Sequence, residues 1–174
     1  FSAEAAALAE HLEGENVPFR TRLVAHGTVL TKGGKSPEDG PVLADQLLAR
    51  NSHRLRFGKH IKLFSDGAFF SQLAQLQPPG YIDGHRGEWL ATPEELERHV
   101  RAYWHAGYQI HVHVTGDLGV ELTLDILPTM QDEKPSFNHG FTLEHFGFST
   151  PEQIRRIKAL GAQVSANVYY LHEL

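Results

Sequence analysis

The chain has 174 residues, 41% of them hydrophobic and 21% charged, with a formal net charge of −5. This composition fits one globular unit: it is too apolar for a disordered chain and too acidic for a default nucleic-acid surface, and no apolar run nears the ~20 residues of a membrane-spanning helix. The lack of cysteine excludes disulfides, thiolate metal sites and cysteine nucleophiles, and 12 histidines nearly equal the 16 lysines and arginines. A chain that opens on Phe1 without a signal-like segment reads as a processed chain or a piece of a longer one.

In chain order, a helix is predicted over Ala3–Glu13 and a strand over Phe19–His26. A loop rich in Gly, Pro and charge, Thr31–Gly40, leads to a helix at Val42–Ala49 and a strand at Phe57–Phe64. The long connection Ala68–Gly87, with Pro78-Pro79-Gly80, has a length that usually carries function. Thr92 then reads as an N-cap, Pro93 as the first helical residue, Glu95 as the return half of a capping box and Gly107 as a left-handed stop. Tyr108–Val114 is the strand that follows, and Leu118–Leu127 the next helix. Gly140–Phe146 is a further strand, and the cap-helix-glycine-strand cadence recurs from Thr150 through Gly161 to Ala162–Val168. Helices alternating with strands predict an α/β fold with parallel strands. About five strands suit either a small doubly wound sheet or part of a (β/α)₈ barrel, because a complete barrel needs at least ~200 residues.

In both architectures catalytic groups gather at the carboxyl ends of the strands. His26, Lys62 with Asp66, His113 with Asp117, Glu144-His145 and Asn167 with Tyr169 and Tyr170 all fall there. His111 and His113, two apart, point to one strand face, and neutral imidazole suits Zn, Fe or Ni. Lys62 interrupts the apolar run Ile61–Phe64, and a buried lysine with a lowered pKa can form a Schiff base or be carboxylated to an anionic ligand. Strict alternation places His145 inward with Leu143 and Phe141, leaving Glu144 to a neighbouring strand or loop. His11, His53, His60, His85, His99, His105, His139 and His172 are expected to be mostly solvated.

These residues carry a resemblance. Ile61-Lys62-Leu63-Phe64-Ser65-Asp66-Gly67-Ala68 resembles the K-L-F-x-D-G-A segment of the amidohydrolase superfamily, in the branch of the N-substituted formamide deformylases. His111–Asp117 is similar to that branch's H-x-H-x-x-G-D strand end, and Thr142–His145 to its I-E-H strand. The likeness runs from about Phe57 to Leu174 and is loose before that. It implies a partial (β/α)₈ TIM barrel, roughly strands three to seven, with Lys62, His113 and His145 as ligands of a divalent metal, zinc first. Asp66, His111, Asp117 and Glu144 would then contact substrate or orient ligands. The implied activity is metal-assisted hydrolysis of a non-peptide carbon–nitrogen bond in a small amide-like substrate, by a cytoplasmic protein for which homo-oligomers are allowed.

The sequence also departs from the family. No His-x-His precedes Lys62, and the aspartate expected on the eighth strand is absent, so residues 1–174 read as one incomplete catalytic unit that is a poor enzyme alone. Phe69-Phe70-Ser71 replaces the small residues expected after Asp66-Gly67. Two other readings stand beside this one: a non-catalytic α/β binding module, and an enzyme using Lys62 as a Schiff-base nucleophile.

Overall fold

The computed structural model describes residues 3–14 and 17–173. Five strands, β1 (Thr21–His26), β2 (Leu55–Phe64), β3 (Gln109–Val114), β4 (Thr142–His145) and β5 (Gln163–Ala166), lie where the pattern predicts strands. The helices are α1 (Ala3–Leu12), α2 (Gly27–Leu30), α3 (Gly40–Leu48), α4 (Pro93–His105), α5 (Asp117–Glu133), α6 (Pro151–Leu160) and α7 (Tyr170–Glu173). Among the described residues, no helix is long and apolar enough to cross a membrane.

All four strand pairings are parallel, and the order across the sheet is β1-β2-β3-β4-β5. That order separates the two architectures. A doubly wound sheet reverses its strand order at a switch point and carries helices on both faces. Right-handed crossovers between sequential neighbours put every helix on one face, as in a (β/α)₈ barrel. Ile61 and Leu63, Ile110, Val112 and Val114, and Leu143 form the sheet side of the core, packed against Leu96, Val100 and Tyr103 of α4, Leu124 and Leu127 of α5, and Ile157 of α6. A smaller cluster of Leu12, Leu47, Leu55 and Phe57 joins α1 and α3 to the start of β2. The fold is thus an open parallel α/β sheet with the architecture of part of a TIM barrel. Its other face is polar: His60, Lys62 and Phe64, His111 and His113, and Glu144 line it, partly buried or, for His113, buried.

Both capping boxes form. The Thr92 hydroxyl accepts from the Glu95 amide while the Glu95 carboxylate accepts from Thr92, and Thr150 and Gln153 repeat the exchange on α6. Helix α5 runs past its predicted end at Leu127 with Pro128 inside it. A proline in a helix interior costs ~3 kcal/mol. Burial of Ile126, Leu127 and Met130 keeps the helix docked through it.

Leu124 is fully buried in this core, whereas Ile154, on the next helix, is 54% exposed. Urea denaturation followed by circular dichroism should show Leu124→Ala losing ~2–5 kcal/mol, and Ile154→Ala changing stability by less than ~0.5 kcal/mol. Equal losses would contradict the assignment of the helix-side core.

Candidate functional site

The polar face gathers its chemistry at the carboxyl ends of β1 to β4. Register places His26 beside Lys62, Lys62 beside His111, and His113 beside Glu144. The rings form a column across the strands. His26 stacks on Phe64 at 4.5 Å between centroids, Phe64 on His113 at 5.1 Å, and His113 meets His145 edge-on at 4.6 Å. Lys62 reaches over the Phe64 ring with its Nζ 5.5 Å from the centroid.

His113 is 8% exposed, and its Nε2 is buried with no hydrogen-bond partner. The imidazole instead donates to the Gly67 carbonyl, which fixes the tautomer and leaves the Nε2 lone pair facing the site. Burial, then the neighbouring His145 and Lys62, push its pKa down to about 4. Burial and the charge of Lys62 lower His145 too, and burial lowers Lys62, against an upward pull from Glu144. Two imidazoles driven toward their neutral forms thus meet edge-on, and the charge of Lys62 is felt at both.

His145 and Glu144 differ from the expectation of strict alternation. Leu143 and Phe141 face the helix-side core, and Glu144 shares the polar face with His111 and His113. The Glu144 Oε1 accepts from His111 Nδ1 at 2.7 Å. His145 reaches the same side because the strand ends there: φ is +72° at His145 and +49° at Phe146, left-handed values that swing the ring over toward His113. Burial works to raise the Glu144 pKa, but hydrogen bonds from Ser165 and His111, with the charge of Lys62, outweigh it and hold the carboxylate below its ordinary range.

Asp66 and Asp117 are engaged elsewhere. Asp66 is fully buried and accepts from the amides of Thr115 (3.0 Å), Gly116 (2.8 Å) and Gln75 (3.0 Å), so both its oxygens are occupied by backbone donors. Burial raises its pKa, against the downward pull of these hydrogen bonds. A Cβ at Gly116 would lie 2.0 Å from the Gln75 carbonyl oxygen, so only glycine permits this close approach. Asp117 opens α5 and accepts from the Gln77 amide at 2.9 Å. Both aspartates tie the 65–91 connection to the β3–α5 turn.

Three residues matter here to which the sequence assigns no contact in the site, although it puts His26 at a strand end and Phe64 within a motif. His26 holds the β1 end of the ring column, Phe64 is its centre, and His60 sits 3.3 Å from His111, extending a His60–His111–Glu144 chain below the His113 and His145 rings. His99, expected in solvent, is 6% exposed and is bound by the Thr31 hydroxyl and the Glu95 carbonyl. Alternation along β2 was a usable signal for His60, which shares a parity with Lys62 and Phe64. The partners of His26 and Phe64 depend on register between strands, which no single segment reveals.

Among the described residues, no three His, Asp or Glu side chains converge closely enough to hold a metal. The nitrogen donors that come together are the imidazoles of His113, with its unpartnered Nε2, and His145, 4.6 Å apart between ring centroids, with the charge of Lys62 felt at both. They fit one side of the shell of a first-row divalent ion, for which neutral imidazole is the preferred ligand.

The depressed His113 pKa has a definite sign in stability. Between pH 6.5 and about 4 the unfolded chain binds a proton at this imidazole that the folded chain excludes, so metal-free protein loses stability as pH falls through that window. The loss from this one group amounts to at most about 3 kcal/mol. Urea titrations across that range should show His113→Asn with a shallower pH dependence than the native chain; identical slopes would contradict the assignment.

A model of the amidohydrolase family matches residues 2–173. An uncharacterized metal-dependent hydrolase from Pyrococcus furiosus superposes with a TM-score of 0.59 at 27% identity, over 75% of this chain and 28% of that one. A second, from Pyrococcus horikoshii, gives a TM-score of 0.59 at 24% identity, over 75% of this chain and 27% of its own, and speaks for the fold alone. A search of curated proteins found no match. This chain therefore spans little more than a quarter of the solved structures it resembles. With a family model matching nearly its whole length, the chain belongs to the amidohydrolase family.

Proposed function

We propose that this chain supplies the central strands and part of the metal shell of a hydrolase that cleaves a carbon–nitrogen bond of a non-peptide amide. The observation that carries the reading is the buried, unpartnered Nε2 of His113, held neutral beside His145 and Lys62. A buried ring nitrogen without a partner is costly unless something binds it. The motifs of β2, β3 and β4 in family order, and the family match over residues 2–173, support the same reading.

In this reading His113 and His145 bind a divalent ion, zinc first, and Lys62 joins them as an amine or, carboxylated by CO₂, as an anionic ligand. Remaining ligands would come from strands outside residues 1–174. The chemistry such an ion supplies is acidification of a water and polarisation of the substrate carbonyl. The chain's own groups do the rest. The Gly67 carbonyl fixes the His113 tautomer, the Phe64 ring holds His26 and His113 parallel, and Glu144 orients His111 from the adjacent strand. Phe69, edge-on to Phe148 at 5.6 Å and to Tyr170 at 4.5 Å, forms an aromatic wall beside the β4 turn.

The test is elemental analysis and amine release from a panel of simple carboxamides, using the full-length protein. Lys62→Ala and His145→Ala are each expected to lower metal content and turnover by at least about tenfold. Unchanged values in both variants would refute the reading. The weakened basicity of Lys62, which makes no hydrogen bond among the described residues, favours a second reading as a Schiff-base nucleophile. Borohydride reduction in the presence of a carbonyl compound should then add mass at Lys62, and no adduct would remove that reading.

A further inference from the structure

The connection from β2 to α4 is anchored at its root. The Gln75 amide binds Asp66, the Leu118 amide donates to the Gln75 carbonyl, and the Gln77 amide reaches Asp117. The amides of Gly67 and Glu88 share the Leu73 carbonyl, which ties the returning limb of the connection to the outgoing one. Between these anchors residues 76–86 lie against the start of α5 around a recess of about 410 Å³, lined by Leu76, Pro78, Tyr81, His85, Arg86 and Leu118. Two side chains fasten the outer part of this arch to its root. Tyr81 accepts the Ala74 amide on its hydroxyl at 3.0 Å, and His85 reaches back to Gln72.

His85 is the unusual member of this pair. Its Nε2 lies 2.7 Å from the Gln72 carbonyl oxygen and its Nδ1 2.5 Å from Asp83 Oδ1. Both oxygens are acceptors only. A neutral imidazole carries one N–H, so it would satisfy one oxygen and turn a lone pair on the other; the imidazolium satisfies both. The Tyr81 ring lies on that of His85, 4.1 Å between centroids and 17° between planes, a contact that a cationic ring strengthens. The geometry of three partners thus selects the protonated form.

The other titratable groups nearby do not compete with it. Asp83 is the charged residue whose field acts on the ring, and its carboxylate also accepts the His85 amide at 3.2 Å. Burial raises the Tyr81 pKa, so its hydroxyl keeps its proton through the neutral range. Arg86 lines the same recess with a charge that is constant there. The His85 side chain is 33% exposed, so it exchanges its proton with solvent without any unfolding of the sheet.

We propose that His85 is the latch of a pH-dependent strap: as an imidazolium it holds residues 76–86 closed against the β3–α5 turn, and loss of its proton releases them and opens the recess. The hydrogen bonds to Gln72 and Asp83 raise the His85 pKa above its ordinary 6.5. Closure is therefore fully supported below pH 6.5, where the ring is protonated whether the strap is open or closed, and that support is lost as pH rises through the raised value. The strap is independent of the hydrolase reading, and its test reads neither metal nor turnover.

The test follows the full-length protein from about pH 5.5 to 9, the range around a histidine titration. Exchange of the His85 ring Cε1 hydrogen, read by mass spectrometry, gives the midpoint of its titration. Amide exchange across residues 76–86, corrected for the intrinsic effect of pH, gives the opening of the strap. The midpoint is expected above 6.5, with opening increasing through that same midpoint by up to about fivefold, the size of one surface charge pair. Corrected exchange in β3 should not change. Asp83→Asn should bring the midpoint back toward 6.5 and carry the opening step with it, and His85→Gln should abolish the step. A midpoint at or below 6.5, an opening that does not follow it, or a step that persists in His85→Gln would overturn the latch.

Discussion

The buried Asp66 carboxylate holds three separate stretches of chain in one place. Its oxygens take the amides of Thr115 and Gly116 from the β3–α5 turn and of Gln75 from the long connection, while Ser65 beside it reaches both the carboxylate and the His113 carbonyl. An acid desolvated to this degree is tolerable only because its lone pairs meet fixed donors. The position of Gly67, whose carbonyl receives the His113 imidazole, follows from that arrangement. So does the course of the connection from Ser65 to Leu90, which rejoins β2 through the Leu90 amide and the Asp66–Trp89 bridge. The candidate metal-side nitrogens are thus positioned by a carboxylate that does not face them.

Above that anchor the polar face of the sheet works by keeping charge low. His26, His60, His113 and His145 are all pushed toward their neutral forms, first by burial and then by nearby cations or one another. Glu144 is the ionised exception, stabilised by Ser165 and His111 and by the charge of Lys62. A neutral imidazole is able to bind a metal ion, whereas an imidazolium is not, so burial keeps these nitrogens in the form that a cation would require. The same burial makes Lys62 easier to deprotonate, the condition for either covalent modification or metal ligation.

Much of this was legible in the sequence. Capping boxes at Thr92 and Thr150 and the parity of apolar residues along β2 and β3 identify the elements and the helix-facing side, because those signals are local. Lys62 and His113 could be placed on one face for the same reason. Local rules fail where a long-range term overrides them. Burial of Met130 and its neighbours carries α5 through Pro128, and two left-handed residues at the end of β4 reverse the side that alternation assigns to His145. The burial of His99 and the pairing of His60 with His111 depend on elements distant in sequence, which periodicity does not report.

The ring column has one further implication. His26, Phe64, His113 and His145 touch in series across four strands, so their positions are not independent. A close-packed row transmits displacement, and a shift of one plane moves the next. The geometry offered to a ligand at β3 and β4 is therefore set in part from β1, through a hydrocarbon ring that carries no reactive atom. Divergence among relatives at the position of Phe64 would retune the imidazole pair without altering a single donor, a route to new selectivity that a comparison of ligands alone would miss.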